Sequence, residues 1–269
     1  KIPETTVFEK HVSVNPLLDR VHLPGSTFQI PSRGIFYTNN ELDDNVNMGE
    51  LHVHPMSAYD EILMKTPDSL YSGDAIQKVF TRCIPQVRKP MELLQKDVDF
   101  LLLCLRHVTY GEEMDITYKH DCEDAKDQSY VLSVGELIQK TKRIDPTKVG
   151  SIFTKKISNG QVIEFHPVKI KDVVKLYQDI EPGIDTAEDE LDMSVFVIKS
   201  VIKSVDGIED DKMIDEWIRT IPAGWFNELT DTIEKTSAFG SDNVFVVKCK
   251  DCGKEIRLEV PVNPVSFFI

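Results

Sequence analysis

Apolar residues recur at helical spacing through much of the first half of the chain. The pattern predicts a helix over YDEILMKT (59–66) that ends before Pro67, and a second over GDAIQKVFTRCI (73–84). A third helix is predicted over KDVDFLLLCLRHVTYG (96–111), with Gly111 as its stop. Because the third segment is apolar on nearly every side, we expect it at the centre of the core.

Strand patterns occupy several other segments. FQIPSRGIFYT (28–38) is an apolar run broken by Pro31 and Gly34, and MGELHVHPM (48–56) alternates apolar and polar residues. Together they predict a bent strand, a loop and a second strand. Asn159-Gly160 is the strongest two-residue turn signal in the chain and predicts a hairpin around it. The hairpins expected in the second half span 113–120 with 129–134, 151–168, and 243–249 with 255–260.

Helical patterns fill much of the remaining chain, and the first two are separated by an acidic linker. They are predicted over 169–180, 190–205 and 210–236. The resulting fold class is α+β: a helical core with β-hairpins, in which the C-terminal hairpin forms a zinc-ribbon-like knuckle against the hairpin near 113–134. The expected organisation is an extended N-terminal arm (1–28), an α+β core domain (29–134), a hairpin and helical insert (135–240), and a C-terminal knuckle hairpin that packs back on the core (241–269).

Composition narrows the function classes. The 269 residues are 41% apolar, enough for a substantial core. The formal net charge of -14 repels phosphate backbones, so we expect no nucleic-acid partner. The longest apolar run, FLLLCL (100–105), is too short to cross a bilayer, and KIPETTVFEKH (1–11) has no signal-peptide core, so a soluble, cytosolic protein without a membrane partner is expected.

The most specific motif is the CxxCG turn formed by Cys249, Cys252 and Gly253. Two cysteines at this spacing between two strands are typical of a zinc knuckle, and the glycine permits the backbone conformation that the knuckle needs. Structural zinc takes four ligands, and the hairpin around HDCEDAKDQ (120–128) offers His120 and Cys122. We therefore predict a structural Cys3His zinc site of His120, Cys122, Cys249 and Cys252.

One residue departs from the paired-knuckle pattern. Ala125 stands where a second cysteine would complete the other half. The alternative interpretation is a site that no longer binds metal, with two hairpins joined by packing alone. A Cys249–Cys252 disulfide is disfavoured in a cytosolic protein, and Cys83 and Cys104 lie in helical apolar patterns as core residues.

Other candidate chemistry is sparse. His52 and His54 lie on one face of a predicted strand, where they could begin a metallohydrolase site, but alternation alone often produces such a pair. No phosphate-binding loop, nucleophile elbow or HExxH motif is present, so no catalytic residue is assigned. Trp217 and Trp225 fall on a helical pattern and are expected to anchor the core or an interface.

Three segments together resemble the baseplate hub and hub-assembly proteins of T4-type contractile-tailed bacteriophages. They are QIPSRGIFY (29–37), GELHVHPMSAYDEILMKTPDSLYSGDAIQKVFTRCIP (49–85) and KDVDFLLLCLRHVTYGEEMDI (96–116); the terminal knuckle and NPVSFF (263–268) also fit. The resemblance implies a non-enzymatic protein that belongs to the baseplate hub, or helps to assemble it, with the tape measure protein and other hub proteins. It also implies an oligomeric assembly, in the host cytoplasm during assembly, and leaves open whether the protein stays in the tail baseplate of the virion.

Within that interpretation, Arg33 and Gly34 are the best interface candidates in the first half of the chain. A tight turn with an exposed arginine is an equally good explanation of the two residues on turn chemistry alone. A function from another class is a zinc-ribbon nucleic-acid-binding adaptor, because such knuckles also occur in transcription proteins. The acidic net charge weighs against the adaptor.

Overall fold

The computed structural model describes residues 24–119, 127–147, 149–179, 187–236 and 238–259. It is an α+β protein in which helices alternate with small antiparallel sheets. In chain order the elements are β1 (Ser26–Gln29), β2 (Glu50–Val53), α1 (Ala58–Lys65), α2 (Pro67–Tyr71), α3 (Asp74–Cys83), α4 (Gln95–Tyr110), β3 (Glu113–Lys119), β4 (Asp127–Ser133), α5 (Val134–Lys140), β5 (Phe153–Lys156), β6 (Val162–Phe165), α6 (Ile170–Asp179), α7 (Ala187–Val201), β7 (Ile202–Val205), α8 (Asp211–Thr220), α9 (Ala223–Thr236), β8 (Val244–Lys248) and β9 (Glu255–Glu259).

The three helices predicted in the first half are confirmed as α1, α3 and α4. Ser57 begins α1 with a capping box, because its side chain accepts a hydrogen bond from the Asp60 N–H and the Asp60 carboxylate accepts one from the Ser57 N–H. Pro67 ends α1 as predicted, but it also occupies the first turn of the short helix α2, which the sequence pattern did not predict.

The first of three hydrophobic clusters is centred on α4. Its side chains from Phe100 to Leu105 are buried, as the continuous apolar pattern predicted, and Cys83 and Cys104 are core residues as expected. β1 pairs with β2 beside it, and β1 begins at Ser26, two residues earlier than predicted. The bent strand ends at Gln29, because the chain then folds into successive turns up to Tyr37.

The second cluster lies under the sheet β5–β6–β7 and the helices α7 to α9. The prediction of a helix through 190–205 was wrong at its end, since Ile202–Val205 leaves α7 and pairs with β6. Asp206 and Gly207 then turn the chain with left-handed backbone angles. The single helix predicted over 210–236 is two helices, because Pro222 interrupts the backbone hydrogen bonding between α8 and α9.

The C-terminal hairpin β8–β9 packs on the hairpin β3–β4. Cys249, Ile256 and Leu258 belong to the first cluster together with Tyr130 and Leu132 of β4. β4 ends at Ser133, whose hydroxyl accepts a hydrogen bond from the Glu136 N–H and so caps α5. The sequence pattern did not predict α5, because SYVLSV alternates like a strand up to its first residue. Among the described helices, none combines the length and the apolar character needed to cross a membrane.

Candidate functional site

The turn between β8 and β9 carries the CxxCG motif of the predicted knuckle. The Gly253 N–H donates to the Cys249 carbonyl, and the Cys249 N–H donates to the Lys254 carbonyl, both at 2.9 Å. Gly253 has a φ of +72°, a conformation that favours glycine. Hydrogen bonds to the buried Cys249 sulfur, first from the Cys252 N–H and then from the Asp251 N–H, lower the pKa of the thiol to about 6 against the opposing effect of burial.

Gln128 connects this turn to the hairpin β3–β4, and the sequence pattern did not identify it. Its amide nitrogen donates to Asp251 Oδ2 at 2.5 Å and approaches Cys249 Sγ at 3.5 Å. Its amide oxygen accepts from the Lys250 N–H at 2.8 Å and from the Tyr130 hydroxyl at 2.5 Å. Gln128 is 7% exposed, so these hydrogen bonds satisfy polar atoms of a buried side chain.

This turn carries two of the four predicted zinc ligands. Two sulfur atoms lie on one knuckle turn, Cys249 buried and Cys252 exposed. The other two predicted ligands, His120 and Cys122, lie outside the described residues, as does Ala125. Within the described parts of the chain, no group of three or more His, Cys, Asp or Glu residues could hold a metal ion. The zinc site therefore stays a prediction.

The predicted interface residues Arg33 and Gly34 lie in the turns after β1. Both have left-handed backbone angles, with φ of 52° and 76°. Arg33 is half-buried, and its Nε atom is buried with no hydrogen-bond partner in the part of the chain that the structure describes. The pair lines a cleft of about 290 Å³ whose other wall includes Glu41 and Met48.

Asp97, at the start of α4, holds this turn in place. Its fully buried carboxylate accepts hydrogen bonds from the Ser32 N–H at 2.9 Å, the Ser32 hydroxyl at 2.5 Å and the Tyr37 hydroxyl at 2.6 Å. Burial raises the pKa of Asp97 to about 6, although the three donors oppose the shift. Burial, followed by the nearby Asp97 carboxylate, raises the pKa of Tyr37 well above its ordinary value.

The two tryptophans occupy neighbouring helices of the second cluster region. Trp217 packs partly buried against that cluster, and its indole Nε1 donates to Gln161 Oε1 at 3.1 Å. Trp225 is half-buried near the start of α9. The assignment of both residues to an interface stays a prediction.

His52 and His54 lie close together on β2 and just beyond it. Their ring centroids are 4.7 Å apart in an edge-to-face arrangement, and His52 Nδ1 lies 3.1 Å from the Thr27 hydroxyl. Burial, and secondarily the His52 charge, lowers the pKa of His54. The described residues supply no third metal ligand to this pair.

Comparison with known proteins gives one family. A search of the curated proteins and a search of the solved structures each found no significant match. The family model described as T4 bacteriophage base plate protein matches residues 42–269, which include α4, the second cluster and the cysteine knuckle. Because this match covers well over half of the chain, the protein belongs to the T4 bacteriophage base plate protein family.

Proposed function

We propose that this base plate protein is a non-enzymatic component or assembly factor of the baseplate hub of a contractile tail. It acts there with the tape measure protein and other hub proteins, in an oligomeric assembly formed in the host cytoplasm. The observation that carries the proposal is the family match over residues 42–269. The hub assignment itself rests on the resemblance of segments such as DEILMKTPDSL (60–70) to hub and hub-assembly proteins.

Rigid surface features support a role in protein contact. The buried hydrogen bonds of Asp97 hold the turn that carries Arg33 and Gly34, so its surface is preorganised for binding. Two further interface candidates, Trp217 and Trp225, are half-buried aromatic residues, a type enriched at interfaces.

The proposal includes a structural zinc ion at His120, Cys122, Cys249 and Cys252. Its support is the knuckle geometry at Cys249 and the contact of that knuckle with Gln128. Gln128 lies one residue beyond Asp127, which pairs with Lys119 at the end of the hairpin that leads to His120 and Cys122. A zinc ion held by these four ligands would join the two hairpins and contribute to folding.

Elemental analysis of the purified full chain tests the zinc. We expect one zinc per chain, lost in Cys249→Ser and in His120→Ala, each with lower stability. Cys83→Ala is the matched control, because Cys83 is equally buried but lies in α3, away from the knuckle. A wild-type chain purified without zinc, or a Cys249→Ser variant that keeps it, would defeat this part of the proposal.

Quantitative mass spectrometry of mature virions and of tail-assembly intermediates tests the hub assignment. A fixed number of copies per virion indicates a structural hub protein, and presence only in intermediates indicates an assembly factor. Copies in the virion at a number that matches the outer baseplate rather than the hub would contradict the assignment. Detection in neither preparation would favour the alternative function, a zinc-ribbon nucleic-acid-binding adaptor. DNA binding measured across salt concentrations would then test the adaptor.

A further inference from the structure

Arg106 of α4 is a buried cation whose position the knuckle and the interface turn do not explain. Arg106 is 7% exposed, and its Nε and Nη1 atoms are buried without a hydrogen-bond partner among the residues that the structure describes. Native proteins pair almost all such groups, since an unpaired buried charge is strongly unfavourable. Burial accordingly lowers the pKa of Arg106. The arrangement leaves the Nε and Nη1 donors of Arg106 able to bind an acceptor.

Exposed apolar side chains lie at the end of the helix that carries Arg106 and on the neighbouring helix α1. The guanidinium carbon of Arg106 lies 4.7 Å from the centre of the Tyr110 ring, and Tyr110 is 42% exposed. Burial, followed by the nearby Glu61 carboxylate, raises the pKa of the Tyr110 hydroxyl, so α1 lies beside this end of α4. Next to Glu61 in sequence, Ile62 is 63% exposed, and Tyr59, three residues before Ile62, is 58% exposed. We call Tyr59, Ile62 and Tyr110 the tyrosine patch.

We propose that Arg106 and the tyrosine patch receive a segment of a partner protein in which one carboxylate side chain is flanked by apolar residues. Charge complementarity selects the carboxylate, because a guanidinium offers paired N–H donors that match its two oxygens. The apolar neighbours of that carboxylate cover the exposed patch. Tyr110, the last residue of α4, turns aside to admit the carboxylate. This inference concerns a different surface from the knuckle and stands without the hub assignment.

A second arginine in the same region, Arg82, forms an ion pair with a carboxylate of the chain. Arg82 also stacks on a tyrosine, with its guanidinium carbon 4.9 Å from the centre of the Tyr59 ring. Unlike Arg106, Arg82 forms an ion pair with Asp60, whose side chain is 5% exposed. The two arginines differ in exposure, 43% for the Arg82 side chain against 7% for Arg106, and in whether the described residues supply a carboxylate. That difference makes Arg82 the matched control.

Peptide binding to the full chain tests the proposal. The probes are acetyl-Leu-Asp-Leu-amide and its neutral counterpart acetyl-Leu-Asn-Leu-amide, followed through the Nε–Hε resonance of Arg106 in protein labelled with ¹⁵N arginine. We expect the acidic peptide to shift this resonance saturably and to bind at least about tenfold more tightly than the neutral one, as a charge-assisted hydrogen bond implies. Equal binding of the two peptides, or no shift with either, would overturn the proposal.

Two variants separate recognition from folding. Arg106→Met should raise the melting temperature of the free chain and abolish binding of the acidic peptide, because it removes an unpaired buried charge. Arg82→Met should lower the melting temperature and keep most of the peptide binding, because Arg82 contacts the patch only through Tyr59. If Arg106→Met lowers the melting temperature as much as Arg82→Met, Arg106 has a partner within the chain and the proposal fails. A shift of the Arg106 resonance with protein concentration alone would assign the carboxylate to a second copy and also overturn it.

Discussion

Replacing Asp97 by asparagine should remove a pH dependence of stability that is opposite in sign to that of most carboxylates. The pKa of Asp97 is raised from 3.8 to about 6 in the folded chain. Between these values the folded state keeps the proton that the unfolded state releases, so stability falls as the pH rises through about 6. Because Asp97 is fully buried, the shift converts to about 3 kcal/mol over the full range, of which about 2 kcal/mol lies between about pH 4.5 and about pH 7.5.

Urea unfolding followed by far-ultraviolet circular dichroism measures this effect as a difference between wild type and Asp97→Asn at the two pH values. Burial also raises the pKa of Asp99 to about 6, but Asp99 is present in both proteins and its contribution largely cancels. We expect the variant to gain about 2 kcal/mol relative to wild type as the pH rises. A constant difference between the two proteins across this pH range would refute the reasoning.

Tyr37→Phe is the control that keeps the carboxylate. The Tyr37 hydroxyl donates to Asp97 at 2.6 Å, and this hydrogen bond favours the ionised carboxylate. Its removal should raise the pKa of Asp97 further and move the fall in stability to higher pH. A shift toward lower pH would mean that the hydroxyl does not stabilise the charged form.

Three further changes test the core and the interface turn. Gly49→Ala should lower the free energy of unfolding in urea by about 2–4 kcal/mol, because the new Cβ would lie 2.6 Å from Ile30 Cγ1 at a residue with left-handed backbone angles. Gly207 is also left-handed but lies in open space, so Gly207→Ala should lower it by only about 1–2 kcal/mol. Equal losses in the two variants would contradict the steric argument. Phe100→Ala, at a fully buried position of α4, should cost about 3–5 kcal/mol, and a cost below about 1 kcal/mol would show that α4 is not central. Arg33→Ala should change stability by less than about 1 kcal/mol but reduce incorporation into tails, and normal incorporation would remove Arg33 from the interface.

Local pattern was sufficient for the elements whose neighbours lie close in sequence. The capping serine and the apolar spacing specify α1 without help from the rest of the chain, and the Asn159-Gly160 turn specifies the hairpin β5–β6. The end of α7 could not be predicted in this way. Ile202–Val205 continues a helical pattern in sequence, but it becomes a strand because β6 offers an unpaired edge, so tertiary context overrides the local preference.

The candidate site likewise contains residues that the local sequence pattern predicts and residues that it does not. The CxxCG spacing is a local signal that predicted a turn between two strands, and Cys249, Cys252 and Gly253 follow β8 and precede β9; the zinc knuckle itself stays a prediction. The local pattern does not predict the roles of Asp97 and Gln128, because their hydrogen-bond partners lie 65 and 121 residues away along the chain. One signal for Asp97 was available: it is an acidic residue at the start of a helix that is apolar on nearly every side, where burial of the charge requires donors from elsewhere.

Buried polar groups provide the common logic of these surfaces. Asp97 joins the interface turn to α4, and Gln128 joins the knuckle to the hairpin β3–β4; in both cases the buried group accepts or donates several hydrogen bonds within the chain. Such satisfied groups fix how distant elements meet, since any other arrangement would leave them unpaired. Arg106 is also buried, but its Nε and Nη1 atoms have no hydrogen-bond partner in the described parts of the chain. The same rule is the reason for our proposal that a partner protein supplies an acceptor to Arg106.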